Sequence, residues 1–192
     1  MAALTSERIA ELLHVYYPGP TSEILLQLST YLDLLLKWNA RTNLTSIRDP
    51  EEIVRRHFGE SLFLATQLPA CRTLLDLGSG AGFPGLPIQL ALPELRVMLA
   101  ESQNKKASFL REVVRTLGLP TEVWADRVEN LPAVRVFDVV ALRAVDNPDV
   151  ALALARQRVV PGGVIAHLTG DPAGDGRCTL VPGSHSSFVR LI

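Results

Sequence analysis

The chain has 192 residues, a formal net charge of −1 and an apolar fraction of 47%. That length suits one α/β domain with a sizeable core, and the composition is that of a folded globular protein, not a disordered or fibrous one. A charge so near zero excludes a strongly basic nucleic-acid binder while leaving room for a local basic face.

The opening Met1-Ala2-Ala3-Leu4-Thr5-Ser6-Glu7-Arg8 lacks a basic segment running into an apolar one, so no signal peptide is expected. Residues 5–16 and 21–39 read as helices, divided by Tyr17-Pro18-Gly19-Pro20. Thr21 or Ser22 caps the second, and Leu25, Leu28, Leu32, Leu35 and Trp38 give it one wide apolar face. Gln27, Ser29 and Asp33 interrupt this stretch, so no membrane span is expected. A third helix over 50–66 starts from Asp49 as cap with Pro50 in its first position.

After Pro69 the pattern changes. Thr73 to Leu77 predicts a buried strand, and a glycine-rich loop follows it into a helix over 85–92. Arg96 to Ala100 is a second strand, and Asn104 to Leu117 a helix stopped by Gly118. Strands over 121–125, 136–142 and 164–168, with a helix near 148–158, complete the alternation. Such βαβ units predict a mostly parallel, doubly wound α/β sheet covered on both faces, preceded by a helical segment. The expected division is 1–68 for that segment and 69–192 for the core, within one structural domain. Cys71 and Cys178 lie far apart with no CxxC and no histidine cluster. Neither a disulfide framework nor a metal site is expected, and a reducing cytoplasm fits.

The loop Gly78-Ser79-Gly80-Ala81-Gly82-Phe83-Pro84-Gly85 allows two readings. Gly80 to Gly85 matches GxGxxG, the dinucleotide pattern in which backbone N–H groups cradle a pyrophosphate. The longer pattern Asp76-x-Gly78-x-Gly80-x-Gly82 instead ends a strand on a carboxylate that suits the ammonium of a methionine moiety, directly or through water, as in S-adenosylmethionine. Glu101, at the end of the second strand, suits ribose hydroxyls in either case. Asp76 favours S-adenosylmethionine, because an acid beside a pyrophosphate is electrostatically awkward. Pro161-Gly162-Gly163 before a late strand is typical of class I, Rossmann-like methyltransferases.

The acceptor leaves traces as well. Neither cysteine is placed to attack a pyrimidine, and after the fourth strand Leu142-Arg143-Ala144-Val145 replaces the Asn/Asp-Pro-Pro-aromatic tetrad of exocyclic-amine methyltransferases. A ring nitrogen with an in-plane lone pair, such as guanine N7, needs neither.

From about Tyr31 to Leu168 the chain resembles the bacterial small-subunit ribosomal RNA guanine-N7 methyltransferases, also called the glucose-inhibited division protein B family. The residues that carry the resemblance are Lys37-Trp38-Asn39, Asn43-Leu44-Thr45-Ser46, Arg48-Asp49-Pro50, Arg56-His57, the loop Gly78 to Gly85, Lys105-Lys106 with Phe109-Leu110, Arg127-Val128-Glu129 and Arg143-Ala144. It implies methyl transfer from S-adenosylmethionine to N7 of a guanosine in the 530-loop region of 16S rRNA, with the small ribosomal subunit as partner and a monomeric enzyme. It further implies a cofactor site of Asp76, Gly78, Gly80, Phe83, Glu101 and Ser102, with Val128 and Glu129 flanking the adenine. Arg143 stands at the cofactor and acceptor edge as the catalytic candidate. It has little structural reason to follow an apolar strand, so Arg143→Ala is expected to cut transfer and leave the fold intact. Arg48, Arg56, His57, Lys105 and Lys106 are the RNA-contact candidates, with Arg55 beside them; Trp38 is expected to be core.

The chain departs from the family pattern in three places. Glu60-Ser61 replaces Asp-Ser, Leu168-Thr169-Gly170 replaces Leu-Lys-Gly, and the Gly-rich stretch Asp171 to Pro182 lacks the expected helix, leaving residues 183–192 for a trimmed final strand. The alternatives these departures raise are a class I methyltransferase for a small molecule or protein, and a cofactor-binding ribosome-assembly factor of little activity.

Overall fold

A computed structural model describes residues 4–145 and 147–192; the reading of Met1 to Ala3 lies outside them. The N-terminal helices are α1 (Ser6–Leu13) and α2 (Ser22–Thr42). Thr5 and Thr21 cap them by accepting the N–H groups of Arg8 and Ile24, both at 3.2 Å. α2 ends at Asn43, whose left-handed φ of 46° turns the chain toward the core. Asp49 caps the next helix through the Glu52 N–H at 2.8 Å.

That helix is not uniform. α3 (Pro50–Ile53) passes into a wide π turn, Val54–Gly59, and resumes as α4 (Glu60–Gln67). The apolar spacing of Ile53, Val54, Phe58 and Leu62 is read as ordinary helix from sequence. The π turn comes from what surrounds it, since its carbonyls find partners on another element (below).

The sheet has the order β3-β2-β1-β4-β5-β7-β6. β1 (Thr73–Leu77), β2 (Arg96–Ala100), β3 (Glu122–Trp124), β4 (Phe137–Arg143) and β5 (Val159–Thr169) run parallel, and β7 (Phe188–Leu191) and β6 (Arg177–Leu180) close it as an antiparallel hairpin. α5 (Gly85–Ala91), α6 (Asn104–Leu117) and α7 (Pro148–Arg158) make the crossovers. The chain winds outward from β1 to β3 and then returns to β4 beside β1. The crevice at such a reversal, at the carboxyl ends of the strands, is where open α/β sheets bind ligands.

Two cores flank the sheet. The larger joins α1, α2 and the α3–α4 helix to α5, α6 and the sheet face that carries Leu74 and Val139. The smaller packs α7 against Leu75, Leu77 and Val140. The N-terminal segment is therefore sealed onto the core by shared apolar contact. Tyr31 is its deepest anchor: fully buried, it stacks on Phe83 at 5.5 Å and donates its hydroxyl to the Ala81 carbonyl of the glycine loop.

Two expectations change. β5 starts at Val159, not at 164, because Pro161-Gly162-Gly163 interrupts the apolar run without ending the strand. The stretch after Asp171 lacks a helix, as read, but it forms β6, which pairs with β7 residue by residue from Arg177↔Leu191 to Leu180↔Phe188.

Candidate functional site: a cavity at the sheet reversal

A cavity of about 570 Å³ opens over the carboxyl ends of β1 and β4, lined by Leu77, Gly78, Gly80, Phe83, Glu101 and Arg143 among others. Its size is ordinary for a small-molecule site. The loop that floors it has a definite hydrogen-bond pattern. The N–H groups of Gly78 and Ser79 both donate to the Ala100 carbonyl at 3.0 Å, and those of Gly82 and Phe83 to the Ser79 carbonyl at 2.7 and 3.0 Å. The Gly80 N–H donates to Glu101 Oε2 and the Gly85 N–H to Asp76 Oδ2, each at 2.9 Å.

These amides are committed to the loop itself, and two carboxylates accept from it. A pyrophosphate needs the opposite arrangement, with donors free and acids absent. The dinucleotide reading of GxGxxG is thereby disfavoured on geometry. What the loop does offer is space: a Cβ added at Gly78 would meet no atom within 4 Å, and one at Gly80 would meet only the Gly78 carbonyl at 3.9 Å. The glycines hold left-handed φ values of 75° and 58° and leave the floor flat for a ligand. Glu101, 6% exposed, faces the cavity with Oε1 accepting from the Gln103 N–H at 2.7 Å, and each oxygen keeps a lone pair for a ligand hydroxyl.

Asp76 does not line the cavity. Strand parity turns its side chain to the face of the larger core, where it is fully buried, with Oδ1 lacking a partner. Burial raises its pKa to about 7 against the pull of the Gly85 N–H. It therefore braces the loop from beneath through the Gly85 N–H. Ser102, Val128 and Glu129 also stand outside the cavity wall; Val128 packs in the smaller core, and its carbonyl accepts from Arg158 at 3.0 Å.

The opposite wall comes from the N-terminal segment. His57 stacks on Phe83 at 4.6 Å, with Nε2 at 2.7 Å from Thr45 Oγ1. Burial, aided by the Arg143 and Arg56 charges, lowers its pKa to about 3, so the ring is neutral at physiological pH. Leu44, Thr45 and Ser46 continue this wall. Their sequence block carries the resemblance, yet nothing in their residue types marked them as cavity residues. Lys106 lines the cavity and Lys105 is exposed next to it. Arg48 instead ties the turn after α2, donating to the Asn39 carbonyl at 2.7 Å and to Asn43 Oδ1 at 2.6 Å. Trp38 packs edge-on against Phe109 at 5.7 Å and donates to Glu112, a core role as expected.

Arg143 has a structural reason after all. Its Nη2 donates to Glu60 Oε2 and to the Arg56 carbonyl, both at 2.7 Å, and its Nη1 reaches the His57 carbonyl at 3.4 Å. Those carbonyls belong to the π turn. Glu60, only 3% exposed, accepts from Arg56 Nε at 2.9 Å as well. Among the described residues no group of three or more His, Cys, Asp or Glu could hold a metal ion, and no helix is long and apolar enough to cross a membrane.

Residues 24–176 match the family model described as rRNA small subunit methyltransferase G. The chain belongs to that family. Relatives named ribosomal RNA small subunit methyltransferase G include one from Anaeromyxobacter sp. (strain Fw109-5), 38% identical over 83% of this chain and 75% of its own, and one from Myxococcus xanthus (strain DK1622), 40% identical over 78% and 70%. Among solved structures, a putative O-methyltransferase from Klebsiella pneumoniae overlays with a TM-score of 0.58 at 17% identity, covering 84% of this chain and 88% of that one. An O-methyltransferase from Bacillus cereus overlays at 0.56 and 21% identity, covering 73% and 66%. At those identities the overlays speak for the fold, that of class I methyltransferases. Membership of the family makes the chain an S-adenosylmethionine-dependent methyltransferase.

Two outcomes are expected. Arg143→Ala leaves the buried Glu60 carboxylate with Arg56 as its remaining partner, a loss of about 1.5–3 kcal/mol, so thermal unfolding shifts down by roughly 3–12 °C. The second concerns Asp76, whose folded carboxyl keeps its proton up to about pH 7 while the unfolded one releases it near 3.8. Through this group the fold loses stability as pH rises from about 4 to 7 and nothing further above that. Urea midpoints measured across this range should fall less in Asp76→Asn than in the unaltered protein.

Proposed function

We propose that the chain transfers a methyl group from S-adenosylmethionine to N7 of a guanosine in 16S rRNA, in the 530-loop region, acting on the small ribosomal subunit as a cytoplasmic monomer. The observation that carries this reading is the cavity wall itself. Family-specific residues of the N-terminal segment, Thr45 and His57, share one cavity with the glycine loop and Glu101.

When bound, S-adenosylmethionine supplies a sulfonium methyl. Gly78 and Gly80 give its chain a flat floor, Phe83 an aromatic wall, and Glu101 accepts the ribose hydroxyls. The acceptor side needs orientation and little else. Guanine N7 presents its lone pair in the ring plane at neutral pH, so no base has to remove a proton. The cavity matches that economy: Cys71 and Cys178 lie outside it, and His57, with its pKa lowered to about 3, is a poor proton acceptor.

Arg143 fits as a positioning residue. Transfer moves one positive charge from sulfur to the purine, which a bare guanidinium at the acceptor edge would oppose. Pairing with Glu60 cancels that opposition. Because its N–H groups are held by Glu60 and the π-turn carbonyls, Arg143 does not occupy the lone pair that must attack. Lys105, Lys106 and Arg56 supply cations toward the RNA backbone.

Radiolabelled methyl transfer to small subunits from cells lacking the mark, with the modified nucleoside identified by mass spectrometry, tests the reading. N7-methylguanosine is expected in 16S rRNA. Label in any other nucleoside, or transfer only to a metabolite or protein, overturns it. Separately, Glu101→Gln should weaken S-adenosylhomocysteine binding by about 10- to 100-fold, the size of a hydrogen bond to a charge. Calorimetry on protein of unchanged circular dichroism reads this directly.

A further inference from the structure

A second, smaller cavity of about 340 Å³ lies on the other side of Arg143 and Ala144, lined by Arg56, Glu60, Leu168, Thr169, Gly170, Ser186 and Ser187 among the described residues. Arg143 and Ala144 are common to both cavities and form the ridge between them. Ala144 holds a left-handed φ of 49°, a conformation rare for alanine. It turns the chain sharply at the end of β4, so the ridge stays low.

The two cavities differ in chemistry. The large one is floored by glycines and walled by Phe83, whereas the notch is polar. Its amides are occupied: Ser186 and Ser187 donate theirs to Ser184 Oγ at 3.2 and 2.9 Å, and Thr169 Oγ1 accepts the Asp171 N–H at 3.1 Å. The hydroxyls of Ser186 and Ser187 bond no described residue, whereas that of Thr169 is taken by Asp171. At the rim stands Arg56, half exposed. Its Nε is held by Glu60, but Nη1 comes no nearer than 3.9 Å to Glu52, leaving the outer edge of the guanidinium with donors to spare. Glu60 also lines the notch, but Arg56 and Arg143 pair its charge, so the hydroxyls and the spare guanidinium edge, with no aromatic face, suit a sugar-phosphate unit better than a base.

We propose that this notch holds the ribose-phosphate of the nucleotide that flanks the target guanosine. The RNA strand crosses the Arg143–Ala144 ridge, placing the target base in the large cavity and the adjoining phosphate against Arg56 and Ser186. This inference rests on the RNA substrate proposed above. It assigns a role to the β5–β7 side of the site, and Ser186 and Ser187 lie beyond residue 176, outside the stretch matched by the family model.

Three variants test it, with small ribosomal subunits as acceptor. Ser186→Asp sets a negative charge where the phosphate sits, so its KM for subunits should rise about 10-fold or more while S-adenosylhomocysteine affinity holds within about 2-fold. Ser186→Asn, of like size and uncharged, should keep the KM of the unaltered protein. Arg56→Ala should flatten the salt dependence of RNA binding by about 0.7 in slope, the contribution of one single-strand phosphate contact. If Ser186→Asp leaves KM within about 2-fold, if Asp and Asn raise it alike, or if the salt slope is unchanged in Arg56→Ala, the notch assignment falls. If the unaltered protein neither binds nor methylates the subunit, the RNA reading falls first and takes the notch with it.

Discussion

The site hangs on one buried charge. Glu60 sits beneath the junction of the N-terminal segment and the sheet, almost wholly removed from water. An unpaired carboxylate there would cost several kcal/mol. Arg143 from β4 and Arg56 from the π turn meet it from two sides. Since the same Arg143 guanidinium donates to the carbonyls of Arg56 and His57, the pairing holds the wide turn open against the end of the sheet. His57 is thereby set against Phe83, and the wall from the N-terminal segment against the glycine loop. A buried ion pair is weak evidence for net stability, but it specifies geometry strictly: shifting either partner exposes a charge to a medium that cannot solvate it.

The glycine loop shows how a sequence pattern and its chemistry part company. Four glycines after a strand suggest amides turned outward to a phosphate. Here strand β2 lies close enough for the Ala100 carbonyl and the Glu101 carboxylate to take the first three amides, and Ser79 and Asp76 take later ones. The loop's amides are satisfied internally, which leaves its flat surface and the remaining lone pairs of Glu101 open to the cavity.

Local signals in the sequence described much of this molecule. β1, β2 and α6 match their expected limits, since apolar runs bounded by Pro69 and the glycine loop, and a helical face closed by Gly118, are determined within a few residues. The misses have local causes too. Pro161-Gly162-Gly163 masked the first half of β5, and Arg177 to Leu180 carries no apolar pattern that would announce a strand. The loop motif suggests a ligand contact for Asp76, whereas strand alternation with Leu75 and Leu77 turns its side chain to the larger core. The Glu60–Arg143 contact spans 83 residues, and no short-range pattern encodes it. From sequence alone Arg143 therefore carries no sign of its partner, and Val54–Gly59 reads as plain helix.

The stack of His57 on Phe83 has a thermodynamic corollary. Phe83 belongs to the loop proposed to hold the methyl donor, and His57 to the turn whose carbonyl accepts from Arg143 on the proposed acceptor side. Under the proposed function, a ligand that displaces one ring of this stack, 4.6 Å between centres, must also work against the other ring. Such coupling is reciprocal by linkage: whatever factor a bound acceptor applies to the affinity for the methyl donor, the donor applies equally to the affinity for the acceptor. The order in which the two ligands arrive then alters the route to the ternary complex and leaves its free energy unchanged.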